Sequence, residues 1–162
     1  MTENWADRVA AVWAEADSLT DEEVLQRIDS LVAERGVTDA AAVLEAAGVR
    51  DYLGLEAGAE PLYRTALAMG LEGDDHAKAT IQFASTLRNL GRAEQAVDLL
   101  NDYLEEHPAT EWTPAAAAFL SLALVSAGRE REAASVALVA LSGRLPAYGA
   151  AVRRYALEVR RG

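Results

Sequence analysis

Apolar residues fall at helical intervals almost from the start of the chain. Trp5, Val9, Val12, Trp13 and Ala16 lie at i, i+4, i+7, i+8 and i+11, one face of a helix over about residues 3–18. Val24, Ile28, Leu31 and Val32 repeat the pattern in the next segment. That segment opens on Thr20 with Glu23 three positions on, a hydroxyl and a carboxylate spaced to satisfy each other's first-turn amides. Gly36 ends it after Arg35, because glycine readily takes the left-handed turn beyond a helix. Continued along the chain, the pattern predicts helices at 3–18, 20–35, 38–53, 56–70, 75–90, 93–107, 113–127, 130–144 and 147–160. Thr113 before Pro114 reads as a capping hydroxyl followed by a residue that needs no amide donor, while Pro108 and Pro146 close the helices before them. More than a fifth of the residues are alanine and β-branched runs are absent, so the fold class is all-α.

One stretch is repeated. "NLGRAEQAVDLL" at residues 89–100 is echoed by "SAGREREAASVAL" 37 residues on, and Gly91 and Gly128 share that spacing. Another 37 residues back lies Gly54, in "YLGLEAGAEPLYRTAL". Each glycine is followed five residues later by an alanine: Ala59, Ala96 and Ala133. Each unit therefore reads as helix, tight turn at the glycine, second helix, with the small alanine permitting close approach. One such hairpin cannot bury its apolar face alone, which is the physical reason for repetition.

Within residues 77–110, Thr80, Phe83, Ala84 and Leu87 occupy one helix, Ala96 and Leu100 the next, and Pro108 the end. In this order of small and large residues the stretch resembles a tetratricopeptide repeat, a 34-residue helix-turn-helix unit. Residues 114–147 follow with Ala117, Leu120, Ser121, Leu124, Ala133 and Ala137, and with Pro146 one place late. Residues 40–73 match through Ala59, Tyr63 and Ala66 but put Gly48 in the middle of a helix. The Trp, Leu-Gly and Tyr residues of the family pattern are replaced. More narrowly, "ATIQFASTLRNLGRAEQAVDLL" with "AAAAFLSLALVSAGREREA" is similar to a group of small actinobacterial-type tetratricopeptide proteins, a likeness that speaks to fold rather than activity. The resemblance implies a right-handed α–α superhelix, a TPR-like solenoid of about four helical hairpins plus a C-terminal capping helix. It would form one domain over 1–162: a degenerate hairpin at 1–36, repeats at 38–73, 75–110 and 113–146, and a capping helix at 147–162. In that last helix Tyr148, Val152, Tyr155 and Val159 share a face expected to cover the final hairpin, with Arg153, Arg154, Arg160 and Arg161 largely elsewhere.

Charge narrows the partners. The net charge is -11, and it is uneven: residues 1–75 carry -12, residues 76–112 carry -3 and residues 113–162 carry +4. A surface so acidic repels a polyanion, so nucleic acid is not the expected partner. No apolar run approaches a membrane span, the first residues are acidic rather than basic, and there are no cysteines. The expectation is a cytoplasmic protein with no membrane association and no cofactor.

Catalytic chemistry finds little support. The two histidines are His76, in "GDDHAK", and His107, in "EEHP". Asp74 or Asp75 is expected to cap the helix starting near residue 75, and His107 to sit at a helix C-terminus where a cation is favoured. Neither a nucleophile elbow, a phosphate loop nor a zinc-binding helix motif occurs, and "GLEAGAE" follows a helix rather than a strand. No catalytic residue and no metal ligand is expected, and the chain does not read as an enzyme.

The resemblance implies instead a concave groove lined by the first helix of each hairpin. Its positions in the unit starting at Ala77 are Lys78, Ile81, Ser85, Arg88 and Asn89, with Gln82 alongside. In the neighbouring units they are Leu44, Gly48, Asp51 and Tyr52, then Ala115, Ala118, Leu122 and Val125. The expected function is a protein-interaction module in which Lys78, Gln82, Ser85, Arg88 and Asn89 recognise a peptide's carboxylate or backbone while Tyr52 and Leu122 offer apolar contact. The same residues would also suit a solvated surface on which Arg88 pairs with Asp51. The alternative function is self-association as a homodimer through the strip Ala115, Ala118, Leu122 and Val125, unless the last helix covers it.

Overall fold

The computed structural model describes residues 4–160; the expected helix start at residue 3, and Arg161 with the last residue of the capping helix, lie outside the described residues. Among the described residues there are nine α-helices and no strand. They are α1 Trp5–Glu15, α2 Asp21–Arg35, α3 Ala40–Tyr52, α4 Glu56–Ala68, α5 Gly73–Asn89, α6 Ala93–Glu106, α7 Thr113–Ser126, α8 Glu130–Ser142 and α9 Gly149–Val159, with a 3-10 turn Ala16–Ser18 after α1. Consecutive helices pack as antiparallel pairs, as the repeat pattern predicts. Contacts gather the chain into two compact units, Met1–Ala79 and Thr80–Gly162.

In the first unit the face read from α1 is the buried one. Val9 and Ala16 join Val24, Ile28, Leu31 and Val49 in a core cluster, with Trp5, Val12 and Trp13 packed along its edge. The indole of Trp5 donates to the Leu31 carbonyl at 2.8 Å, and the Arg35 guanidinium lies 4.3 Å above the Trp5 ring. The Thr20 box forms as expected: the Glu23 amide donates to the Thr20 hydroxyl oxygen, and the Thr20 amide and hydroxyl each donate to the Glu23 carboxylate at 2.9 Å. Those bonds hold the Glu23 carboxyl below the usual carboxylate range. Asp39 caps α3 by accepting from the Ala42 amide at 3.0 Å, which starts that helix two residues later than the apolar pattern alone suggests. Arg50 reaches back from α3 to Asp29 of α2 at 3.0 Å. Tyr63 of α4 is wholly buried, its hydroxyl donating to Asp51 at 3.3 Å.

The second unit buries Phe83, Ala84 and Leu87 of α5, Ala96, Val97 and Leu100 of α6, Ala116, Ala117, Leu120 and Leu124 of α7, and Ala133 of α8. Fully burying one such leucine is worth roughly 1.5–3 kcal/mol, so this row of larger residues, spaced by alanines, supplies the cohesion. Helix α7 lies against α6 and α8, and α9 against α8.

The three spaced glycines mark three nearly identical turns. Gly54, Gly91 and Gly128 have φ of +70°, +76° and +73°. In each turn the glycine amide donates three residues back, to Asp51, Arg88 and Val125, at 3.0 Å. The following amide donates five residues back, to the carbonyls of Arg50, Leu87 and Leu124, at 2.8, 2.9 and 2.8 Å. This is the paired closure of a Schellman motif. The next helix then starts from Leu55, Arg92 or Arg129, all with φ between -98° and -113° and ψ near 50° and none with a side-chain cap. Ala59, Ala96 and Ala133, five residues after the three glycines, are buried at 0%, 0% and 3% exposure.

Several helix ends depart from expectation. Helix α5 starts at Gly73, so Asp74 and Asp75 lie inside its first turn rather than at its cap, still where the helix dipole favours acids. Thr113 is the first residue of α7 rather than its cap. Its hydroxyl donates to the His107 carbonyl at 3.1 Å and accepts from the Thr110 amide at 2.9 Å, fastening the α6–α7 loop instead. Helix α9 starts at Gly149, two residues late, because Tyr148 takes a left-handed conformation with φ +67°. The face expected to cover the final hairpin is also different: Tyr148 and Tyr155 are 83% and 55% exposed, and Ala156 is the buried residue. A tyrosine on the inner face would hold the helix away. Gly149 stands so close that a Cβ there would lie 2.3 Å from the Ser142 carbonyl oxygen.

No heavy atom lies within 4 Å of where a Cβ on Gly91 would stand, so substitution there tests backbone strain alone. Gly91→Ala is expected to lower unfolding stability by about 1–2 kcal/mol, and Gly91→Asn by less, since asparagine tolerates the left-handed region. Urea denaturation midpoints of the two variants check this; equal losses would remove the left-handed turn as the cause.

Candidate functional site

The sequence-derived site residues divide between the two units. In the first, Tyr52 ends α3 and is half exposed, its ring edge-on to Trp13 with centroids 5.6 Å apart. The Trp13 indole donates to Glu45 at 2.7 Å. Lys78, on the first half of α5, is exposed and faces Asp75 at 3.8 Å, one turn before it. Burial raises the Glu45 carboxyl above its ordinary pKa; the Trp13 hydrogen bond opposes that, Asp75 adds to it and Lys78 relieves it. The first unit thus holds a half-buried carboxylate under an indole, influenced by one acid and one lysine. Leu44, expected at a surface position, is buried instead at 4% exposure, and the expected Gly48 lies against the Trp13 ring.

In the second unit Gln82 and Asn89 are exposed, and Ser85 and Arg88 are half-buried. Gln82, Ser85 and Asn89 fall three and four residues apart, so they share one face of α5. Arg88 lies to one side of that face and donates to the Asn89 side-chain oxygen at 3.0 Å. Ile81, expected among the surface positions, is 5% exposed: it falls on the flank of α5 that continues into the core. On α7, Ala118 is exposed and Ala115 half-buried, while Leu122 and Val125 are 47% and 53% exposed. Because α9 is seated on α8, this apolar strip stays open.

The two histidines keep to helix ends. His76 lies in the first turn of α5, its amide directed at the Glu72 carbonyl at 3.3 Å. His107 caps α6, with its ring 4.7 Å from that of Tyr103. Among the described residues no group of three or more His, Cys, Asp or Glu is placed to hold a metal ion.

Trp13 and Glu45 are the residues that sequence reasoning passed over. Trp13 was absorbed into the apolar face of α1. The available signal for Glu45 was its isolation, a lone acid within "AAAVLEAAGV". Since its folded pKa is raised, Glu45 favours the folded state most when protonated, and that advantage is lost as pH rises through the folded value. Glu45→Gln keeps an acceptor for the Trp13 indole and removes the titration. The variant is expected to gain stability over wild type at pH 7 and to lose that gain below pH of about 4. Thermal melts at the two pH values check the sign.

The chain matches the family model described as tetratrico peptide repeat over residues 40–159. No curated protein matches it in sequence. Among solved structures it is similar to the MamA RS-1 ArsTM double mutant, at a TM-score of 0.63 and 16% identity, over 99% of this chain and 97% of that one. At that identity the likeness concerns the fold, and the match includes α1 and α2, which the family model leaves out. No helix among the described residues is long and apolar enough to cross a membrane. With the three left-handed glycine turns, the buried alanines behind them and a family match that starts at α3 and runs to the end of α9, the chain belongs to the tetratricopeptide-repeat family.

Proposed function

We propose that the chain is a non-catalytic, cytoplasmic protein–protein interaction module that holds an extended segment of a protein partner against the first helices of its hairpins. Domains of this family generally act as protein-interaction modules, and the likeness to the small actinobacterial-type group adds nothing about the ligand. Within the second unit the contact residues would be Gln82, Ser85, Arg88, Asn89 and Leu122; the first unit, by itself, would offer Tyr52 and Lys78. In each unit the polar residues would address peptide carboxylates and backbone, with Leu122 in the second and Tyr52 in the first offering apolar contact.

The observation that carries this reading is on the second half of α5. Its core flank buries Ile81, Phe83, Ala84 and Leu87, while Gln82, Ser85 and Asn89 form a polar file that the interior does not use. Arg88 lies beside them, its guanidinium donating to the Asn89 side-chain oxygen at 3.0 Å, a cation at hand for an arriving carboxylate. Titration of acidic C-terminal peptides against wild type and Arg88→Glu tests the reading. The charge reversal is expected to weaken binding about tenfold, or roughly 1.4 kcal/mol. Equal affinities would remove it.

One observation favours a second reading, self-association. Leu122 and Val125 stay about half exposed, and open apolar strips on proteins tend to find a cover. If a second copy supplies it, Leu122→Glu converts a dimer to a monomer in light scattering; a monomeric wild type sinks this reading and leaves the first intact.

A further inference from the structure

The second unit contains a cavity of about 690 Å³ that plays no part in the surfaces described so far. It is an open cleft lined by residues of α6, α7, α8 and α9. Leu104, Leu120, Val136, Val139 and Leu157 supply apolar wall. Its size lies within the range of roughly 300–1,000 Å³ typical of small-molecule sites.

Three polar features give it chemistry. Ser135 lines the wall of α8, is only 2% exposed, and its hydroxyl makes no hydrogen bond to any described residue. A hydroxyl that faces a cleft is free to bond to whatever fills it. Arg153 of α9 and Arg160 at its C-terminal cap, seven residues apart, both line the cavity. Arg153 has no ion-pair or hydrogen-bond partner among the described residues. Arg160 lies 3.7 Å from Glu132, and that carboxylate is already engaged by two nitrogens of Arg129 at 2.8 and 3.0 Å. No acid lines the cavity, and residues 113–162 form the basic part of an otherwise acidic chain.

We propose that this cavity binds a small amphipathic monocarboxylate. Its apolar tail lies among the leucines and valines, its carboxylate is held by Arg153 and Arg160, and the Ser135 hydroxyl donates to a ligand oxygen. Two cations at one side select an anion over a neutral lipid. The apolar wall selects a hydrocarbon-bearing acid over inorganic phosphate or a nucleotide. The close seat of Gly149 on α8 keeps α9, with its two arginines, against the cavity.

Octanoate is the probe, titrated by calorimetry into the full-length protein, with 1-octanol as the uncharged counterpart and sulfate as the tail-less anion. Octanoate is expected to bind saturably at one site and to raise the melting temperature. Octanol and sulfate are expected to bind at least about tenfold more weakly. The double variant Arg153→Glu, Arg160→Glu changes only exposed side chains and so keeps the fold; it is expected to weaken octanoate about tenfold or more. Ser135→Ala is expected to weaken it severalfold, and Val139→Trp, shown by circular dichroism to be folded, to abolish binding by filling the space. Lack of saturable octanoate binding to wild type overturns the proposal. So does octanol binding as well as octanoate, or octanoate affinity unchanged in the arginine variant.

Discussion

When a helix must reverse within three residues, its last carbonyls and the first amides of the next helix have to be satisfied without help from a long loop. Here a left-handed glycine does this at Gly54, Gly91 and Gly128, using main-chain bonds alone. The geometry fixes where the second helix of each pair starts. That in turn places an alanine, five residues on, in the buried interior. A larger residue there would separate the rods and open the core behind them. Each pair's inner faces, and the surface left outside, follow from the turn.

What is left outside differs along the chain. In the first unit an indole covers a half-buried carboxylate, and that carboxylate feels a lysine and an acid. In the second unit α5 presents amides and a hydroxyl, α7 presents aliphatic carbons, and the space behind α7 and α8 meets the arginines of α9. One backbone plan thus carries three kinds of surface. Positions that face inward are held to small or apolar residues by packing, whereas positions that face outward are free to vary in chemistry.

Features governed by local chemistry were legible in the sequence. The 37-residue glycine register, the Thr20–Glu23 box and the apolar face of α1 each depend on residues within one or two helical turns, and each forms as read. Features set by distant neighbours were not. Ile81 and Leu44 occupy positions that the family pattern turns outward, yet both are buried; α3, packed on α2 and α4, buries a wider arc than one stripe. Thr113 has the chemistry of a cap, yet its hydroxyl was taken by the preceding loop. In α9 the periodicity grouped Val152, Tyr155 and Val159 with Tyr148, which lies outside the helix as its left-handed cap, and periodicity cannot say which side meets the protein. Steric room at Gly149 decided that, and the smaller side chains went inward. Of the candidate site, the exposed file on α5 was visible beforehand. The cavity was not, since its lining comes from four helices spread over some sixty residues.

The turns recruit no side chain to close them, and this bears on how such a chain can grow. A copied stretch of 37 residues would arrive with its own reversal signal, its own seat for the neighbouring rod and no requirement for a matching partner elsewhere. Length can therefore change by whole units without redesign of the joints, while the outward-facing residues of each new copy remain open to a different ligand.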